Sequence, residues 1–314
     1  MATASPTARD RLAGYAALVR VPNLFTAPPD VVAGAALAAA VGTPVLAGDV
    51  ATLAVGSMLL YAGGVSLNDW ADAAVDAEER PERPVPSGVV SRRAALGVGL
   101  AALGGGVALA ATVGPAPAAV AGLLAAVVVS YDALLKGTSV GFLAMGTARG
   151  LNVLLGASVA GGAVLAALNG SAADATAGLV AVPTAVLGYI ALVTAMADDE
   201  ATGGSRRRIL AAGAASVIAA VVVAGALLAA GPPSLAVAVG LLALGAFLAR
   251  NWRALRRAYA DPTPETVGPA VGTCVVGESL LVAGAAAAAG VGWALAALSF
   301  LVPATVLSRR FDVS

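Results

Sequence analysis

The sequence predicts an all-α membrane protein, a polytopic bundle of nine to ten transmembrane helices. Three observations predict it. Hydrophobic residues make up 59% of the 314 positions and charged residues only 11%, against about 45–50% and about 25% in soluble domains; too few polar side chains exist to cover a water-soluble surface. The apolar residues gather into ten runs, several of them close to the roughly 20 residues that a spanning helix needs. The runs are continuously apolar rather than alternating, which excludes a transmembrane β-barrel.

The runs cover 21–41, 49–67, 94–113, 116–131, 139–163, 176–197, 209–230, 234–249, 267–289 and 291–307. The first contains Pro22, Pro28 and Pro29 and is expected to kink or break, which neighbouring helices can tolerate by re-satisfying the backbone. The last two are separated only at Gly290 and Val291 and can equally be one broken helix. The 38 glycines suit close helix packing, because small residues let backbones approach. The polar stretch at Arg9, Asp10 and Arg11 lacks the pattern of a signal peptide. No connection is long enough for a soluble domain, so residues 1–314 read as a single membrane-embedded domain.

Charge sets the sidedness. Lys plus Arg number 18, as do Asp plus Glu, and a neutral chain is not a strongly basic nucleic-acid binder. Seventeen of the 18 basic residues precede the first run, follow an even-numbered run or end the chain. By the positive-inside rule the N-terminus and the even connections face the cytoplasm of a cell membrane. The eighteenth, Arg149, lies inside the fifth run, where a charged residue marks a functional site or else snorkels to the interface. There is no histidine, and Cys274 is the one cysteine. That excludes His-based triads, zinc sites of the His type and intrachain disulfides.

Two acidic clusters close even-numbered runs on that same side. In the first, Asn68, Asp72 and Asp76 stand four apart on one helical face, and Asp69, Asp72 and Asp76 form a second stripe. Like charges at this spacing destabilise a helix unless a cation neutralises them. Oxygen ligands favour Mg²⁺ or Ca²⁺, and Mg²⁺ takes one or two carboxylates plus waters and substrate phosphates. The stripe therefore reads as half of a metal–diphosphate site, against the plainer reading of a solvated helix end. Arg80 and Arg83 follow among three prolines and either pair with phosphate or anchor the loop. The second cluster is Asp198, Asp199 and Glu200. Lys136 closes the fourth run, Arg149 and Asn152 share a face of the fifth, and Asn23 lies just inside the first. Glu278 stands alone in the ninth, as a transport residue or a packing carboxylate.

At these residues the chain resembles the UbiA superfamily of intramembrane prenyltransferases. Asn68 to Asp76 match its NDxxDxxxD motif, and Arg80 to Gly88 match the RPxRPxxSG continuation. Arg20-Val21-Pro22-Asn23 resembles the start of the family's first helix, and Tyr131 with Lys136 its tyrosine–lysine segment. The second family motif, DxxxD with a following Gly, is degraded here. Counting back from Gly203 puts Asp199 and Ala195 at its two Asp positions, and from Gly204 Glu200 and Met196. This is the pattern of a divergent branch, and whether one or two Mg²⁺ bind stays open.

The resemblance implies a bundle, usually of nine spans, around a central cavity. It implies transfer of a prenyl group from a polyprenyl diphosphate to a lipophilic or aromatic acceptor, with Mg²⁺ as cofactor and diphosphate released. Asp72, Asp76, Asp199 and Lys136 become the candidate catalytic set. Asn68, Asp72, Asp76, Asp198, Asp199 and Glu200 become candidate metal ligands, and Asn68, Asp69, Arg20, Asn23, Arg83, Arg149 and Asn152 candidate donor contacts. The competing reading is a non-catalytic transporter or assembly factor on the same bundle. Convergence of Asp72, Asp76 and one member of the second cluster on one cavity, near Lys136 and Arg149, separates the two.

Overall fold

The computed structural model describes residues 7–170, 174–198 and 204–308, and all regular structure among them is helical. The N-terminal part holds α1 (Ala8–Leu18), α2 (Val21–Leu24) and α3 (Pro28–Ala40). Then come α4 (Ala47–Ala71), α5 (Ala73–Glu79), α6 (Arg92–Val113) and α7 (Pro115–Ser130), which runs into a π-helical turn, Tyr131–Leu135. Next are α8 (Gly141–Ala157), α9 (Gly161–Leu168), α10 (Asp174–Ala197) and α11 (Arg206–Ala230). The chain continues through α12 (Ser234–Ala260), α13 (Pro264–Ala286), α14 (Val291–Ser299) and α15 (Leu301–Ser308).

Among the described residues eight helical segments are long and apolar enough to cross a membrane: α4, α6, α7 with its π turn, α8 with α9, α10, α11, α12 and α13. The chain is an integral, multi-pass membrane protein. Two of the ten apolar runs fall short. Val291–Leu307 is a shorter apolar segment, broken at Phe300 between α14 and α15. The first run breaks before Pro28, as its prolines require, and only the 13 residues of α3 continue it.

α3 is the hub. Eleven of its residues, Pro28 to Ala38, are buried. Its side chains join two apolar cores: Val31 packs with Leu53, Leu60, Leu103 and Leu155 of α4, α6 and α8, and Val32, Ala36 and Leu37 with the core built by α8 and α10–α14. Such burial on all sides suits its Ala-rich sequence and its one glycine, Gly34, which let neighbours come within backbone distance. At the α3–α8 crossing two glycines face each other's helix. A Cβ on Gly34 would lie 2.0 Å from the Val153 carbonyl oxygen, and one on Gly156 2.0 Å from that of Val31. Overpacking of this kind costs about 1–3 kcal/mol. Gly156→Ala is therefore expected to lower the midpoint of thermal unfolding in detergent, while Gly122→Ala, where nothing lies within 4 Å, leaves it unchanged or raises it, since Ala favours a helix over Gly by about 0.5–1 kcal/mol. Equal melting of the two variants contradicts the crossing.

Candidate functional site

The polar residues meet where α4, α5, α7 and α8 end or begin. α4 stops at Ala71, with Asp72 as its cap, and α5 resumes at once. The break does not disturb the phase: the Asp72 amide still donates to the Asn68 carbonyl and the Asp76 amide to that of Asp72, both at 2.9 Å. Asn68, Asp72 and Asp76 therefore keep their common face, and all three line one cavity of about 960 Å³.

The segment after α5 folds back over this face. Its three prolines stop the helix, and Val85 and Val90 bury with Leu18 and Ala95 to pin the coil down. That returns Arg83 to the helix it left, with Nη1 2.7 Å from Asp76 Oδ2 and 3.7 Å from Asp69 Oδ1. Arg92 secures the following helix, donating from Nε to the Trp70 carbonyl at 3.1 Å.

Arg20 approaches from the other side. It caps α2 with φ +49°, the one non-glycine residue of positive φ among those described. A left-handed conformation costs a non-glycine residue about 1–3 kcal/mol and clusters at functional sites. Its Nη2 lies 3.3 Å from Asp69 Oδ1. Asp69 is 3% exposed and is absent from the cavity lining. It is corrected from a donor contact to an anchor holding Arg20 and Arg83. Asn23 also lies off the cavity wall and hydrogen-bonds the Tyr61 hydroxyl, which does line it.

The fourth run ends in the π turn. Five residues of α-helix would rotate Lys136 to about 140° from Tyr131. Here the Lys136 amide donates to the Tyr131 carbonyl at 2.8 Å, so the chain returns over itself after five residues. Tyr131, Asp132 and Lys136 all line the cavity. Lys136 Nζ pairs with Asp72, and Asn68 Nδ2 donates to Asp132 Oδ1 at 3.1 Å. π turns occur frequently at functional sites.

The fifth run behaves differently. Arg149 and Asn152 share a face, as their spacing implies, but that face is turned mostly into the bundle. Arg149 touches the cavity, yet its Nε donates to Glu278 Oε2 at 2.8 Å, its Nη2 lies 2.5 Å from the same oxygen, and Nη1 is 3.4 Å from Asp30. Nη2 also donates to the Thr26 carbonyl at 3.1 Å. Asn152 is buried and gives Nδ2 to Asp30 and to the Ala27 carbonyl, both at 2.9 Å, while Oδ1 accepts from Ser57 at 2.6 Å. Asn152 is therefore corrected from a substrate contact to a structural link, because its amide is fully engaged away from the cavity. Together the two residues hold the carbonyls freed where the chain breaks between α2 and α3.

Asp198, at the end of α10, lies within electrostatic range of the Tyr131 hydroxyl, and Ala197 lines the cavity. Asp199 and Glu200 lie outside the described residues. Sequence reasoning missed Asp132, Tyr61 and Asp30. Asp132 stands four residues before Lys136, a helical pairing distance, and Tyr61 and Asp30 are polar groups within apolar runs.

Among the described residues no group of three or more His, Cys, Asp or Glu is arranged to hold a metal ion. The donor set fits Mg²⁺ all the same. Asn68, Asp72 and Asp76 present hard oxygens to one cavity, and Mg²⁺ uses one or two carboxylates together with waters and phosphate oxygens rather than an all-protein cage.

Known proteins share sequence and fold with this chain. The sequence pattern described as the UbiA prenyltransferase family matches residues 29–268. Digeranylgeranylglyceryl phosphate synthase of Ignicoccus hospitalis is 36% identical over 150 residues, covering 48% of this chain and 48% of that protein. The protein of the same name from Halobacterium salinarum is 36% identical over 162 residues, 49% of this chain and 57% of that one. The chain thus spans about half the length of the relatives it matches by sequence. The fold is shared with a UbiA homologue from Archaeoglobus fulgidus solved with GPP and Mg²⁺, at TM-score 0.64 and 15% identity over 91% of this chain and 99% of that one. It is shared also with a UbiA homologue from Aeropyrum pernix, at TM-score 0.63 and 20% identity over 83% and 96%. The family match runs from α3 into α13 and takes in every element lining the cavity except the Arg20 segment: the chain belongs to the UbiA prenyltransferase family.

Proposed function

We propose that the chain transfers a prenyl group from a polyprenyl diphosphate to a lipophilic acceptor and releases diphosphate. The observation that carries this is the cavity's division of labour. Its polar end brings Asn68, Asp72 and Asp76 together with Arg20, Arg83 and Lys136, and its walls include Leu60, Val65, Val127, Val128, Met145 and Ala148. One end suits a metal-bound diphosphate and the other an isoprenoid chain. The volume of about 960 Å³ is at the upper end of the ~300–1,000 Å³ usual for small-molecule sites.

Asn68, Asp72 and Asp76 would hold Mg²⁺, which supplies charge stabilisation on the phosphate oxygens when bound. The remaining chemistry belongs to the side chains present. Lys136 and Arg83 rest on Asp72 and Asp76. When the anionic donor enters, these two cations turn to its oxygens and stabilise the charge that grows as the allylic C–O bond ionises. The apolar walls exclude water that would quench the allylic cation. The acceptor then attacks, and with no histidine in the chain its proton passes to a carboxylate, the released diphosphate or solvent.

The names of the sequence relatives favour an acceptor carrying a glyceryl phosphate. The positive-inside rule, applied to the basic connections, supports a reading in which the cavity mouth and the N-terminus face the cytoplasm, and we read residues 1–314 as working as one membrane unit. Glu278, which suggested transport, is fully buried against Arg149 and absent from the cavity lining.

The test is incubation of the purified protein in nanodiscs with labelled polyprenyl diphosphates and a panel of isoprenyl glyceryl phosphate and aromatic acceptors. Product mass and free diphosphate are read with and without Mg²⁺. We expect diphosphate release that requires Mg²⁺, with a prenylated product from the phosphate-bearing acceptors. No release from any donor would overturn the proposal.

A further inference from the structure

We propose that Asp132 is a positioning residue that fixes which end of the Asn68 amide faces the metal–diphosphate site. The inference rests on the function proposed above and concerns a residue outside the Asp-rich motifs.

An asparagine side chain has two ends of nearly equal size, a carbonyl oxygen and an NH₂, and only the oxygen can serve a cation. On a cavity wall, with water on all sides, the two orientations compete. At Asn68 they do not. Its Nδ2 lies 3.1 Å from Asp132 Oδ1, and an ionised carboxylate only accepts hydrogen bonds. The NH₂ is therefore committed to Asp132. The planar amide then turns Oδ1 away from Asp132, which leaves that oxygen free for a cation in the cavity that Asn68 lines with Asp72 and Asp76. The flipped amide would set two acceptors face to face.

The backbone builds this contact on purpose-made geometry. Asn68–Asp132 and Asp72–Lys136 both join residues 64 apart in sequence. They form two rungs, four residues apart on each side, between the end of α4 and the π turn. One rung commits an amide and the other a carboxylate. Lys136 reaches its rung because the π turn returns it over Tyr131, so the irregular turn sets both rungs at once. Partners that orient the ligands of a metal are typically worth 10–100-fold in metal affinity.

The test measures metal binding without turnover. Mg²⁺ is titrated calorimetrically into the purified chain with a prenyl thiodiphosphate, a donor analogue slow to ionise. We expect Asp132→Ala to weaken Mg²⁺ about 10–100-fold, and to weaken it no further in an Asn68→Ala background. An Asn68→Asp change alone sets two carboxylates against each other and is expected to weaken Mg²⁺. Adding Asp132→Asn returns a donor to the pair and restores binding. Equal losses from Asp132→Ala in both backgrounds, or no recovery in the swapped pair while size-exclusion profiles stay unchanged, would show that Asp132 does not act through Asn68 and would overturn the inference. Failure of the unaltered chain to bind Mg²⁺ with the analogue overturns the proposed function itself, and this inference with it.

Discussion

Replacing Asp72 by Ala is expected to lower the rate of diphosphate release by about 10²–10³-fold, the loss that follows removal of one preorganised charge-stabilising group, or about 3–4 kcal/mol. Two effects combine. The site loses an oxygen donor from the Asn68–Asp72–Asp76 face. Lys136 loses the carboxylate that holds it over the cavity, and a free lysine has rotamers to sample before it reaches a phosphate. Asp72→Asn separates the two, since it keeps an oxygen but no charge, and is expected to fall between the wild type and Asp72→Ala. Asp76→Ala should behave like Asp72→Ala, because Arg83 depends on Asp76 as Lys136 depends on Asp72. The measurement is single-turnover release of labelled diphosphate at saturating Mg²⁺, with size-exclusion profiles as the folding control. Release at the wild-type rate in both Ala variants would remove these carboxylates from the chemistry.

The largest effect on stability is expected at Arg149. Replacing it by Met leaves Asp30 and Glu278, both fully buried, without the guanidinium that faces them. Breaking a buried ion pair from one side costs about 3–5 kcal/mol. The same change frees the Thr26 carbonyl that Arg149 holds at 3.1 Å. Each carboxylate already has one oxygen without a hydrogen-bond partner, Asp30 Oδ1 and Glu278 Oε1, so the cluster has no spare partner to absorb the loss. Arg149→Met is thus expected to shift unfolding in a mixed-micelle denaturant series by that amount. Glu278→Gln, which keeps an acceptor for Arg149, should cost less. The pair Arg149→Met with Glu278→Met should recover part of the loss, because it removes the buried negative charge along with the positive one. A shift under about 0.5 kcal/mol for Arg149→Met, the scale of an ordinary surface change, would show that the cluster contributes nothing to stability.

What could be read beforehand divides along physical lines. The long helices were legible because bilayer thickness demands apolar length, and length is a property of the sequence itself. The break ahead of Pro28 was legible because proline removes a donor. The common face of Asn68, Asp72 and Asp76 was legible because spacing by four survives a cap that keeps the i to i+4 hydrogen bonds. The convergence set from sequence asked for Asp72, Asp76 and one of Asp198 to Glu200 on one cavity, near Lys136 and Arg149: Asp72, Asp76, Lys136 and Arg149 line it, Asp198 is not among the lining residues, and Asp199 and Glu200 lie outside the described residues. The spacing of Asp132 to Lys136 was visible, but its pairing with Asn68 was not, because nothing in the segment from Tyr131 to Lys136 announces that the helix will widen there. Asn152 was misread because periodicity tells which residues share a face but not which way the face turns. That direction was decided by Asp30, 122 residues away, and by the Ala27 carbonyl, 125 residues away. The same distance hid the partner of Glu278, left from sequence as a transport residue or a packing carboxylate, which meets Arg149 across 129 residues.

The buried helix α3 has a consequence for how the chain must be made. At 13 residues it reaches only about 20 Å, short of the ~30 Å hydrocarbon core, and it carries Asp30 in its first turn. Alone in lipid it would neither span nor shelter its carboxylate. Yet it leaves the ribosome far ahead of α8 and α13, which supply Asn152, Arg149 and Glu278. The nascent chain is therefore expected to hold α3 at the membrane surface or within the insertion machinery while later helices are synthesised. A helix made ahead of most of its partners is thus among the last of the described helices to reach its final surroundings.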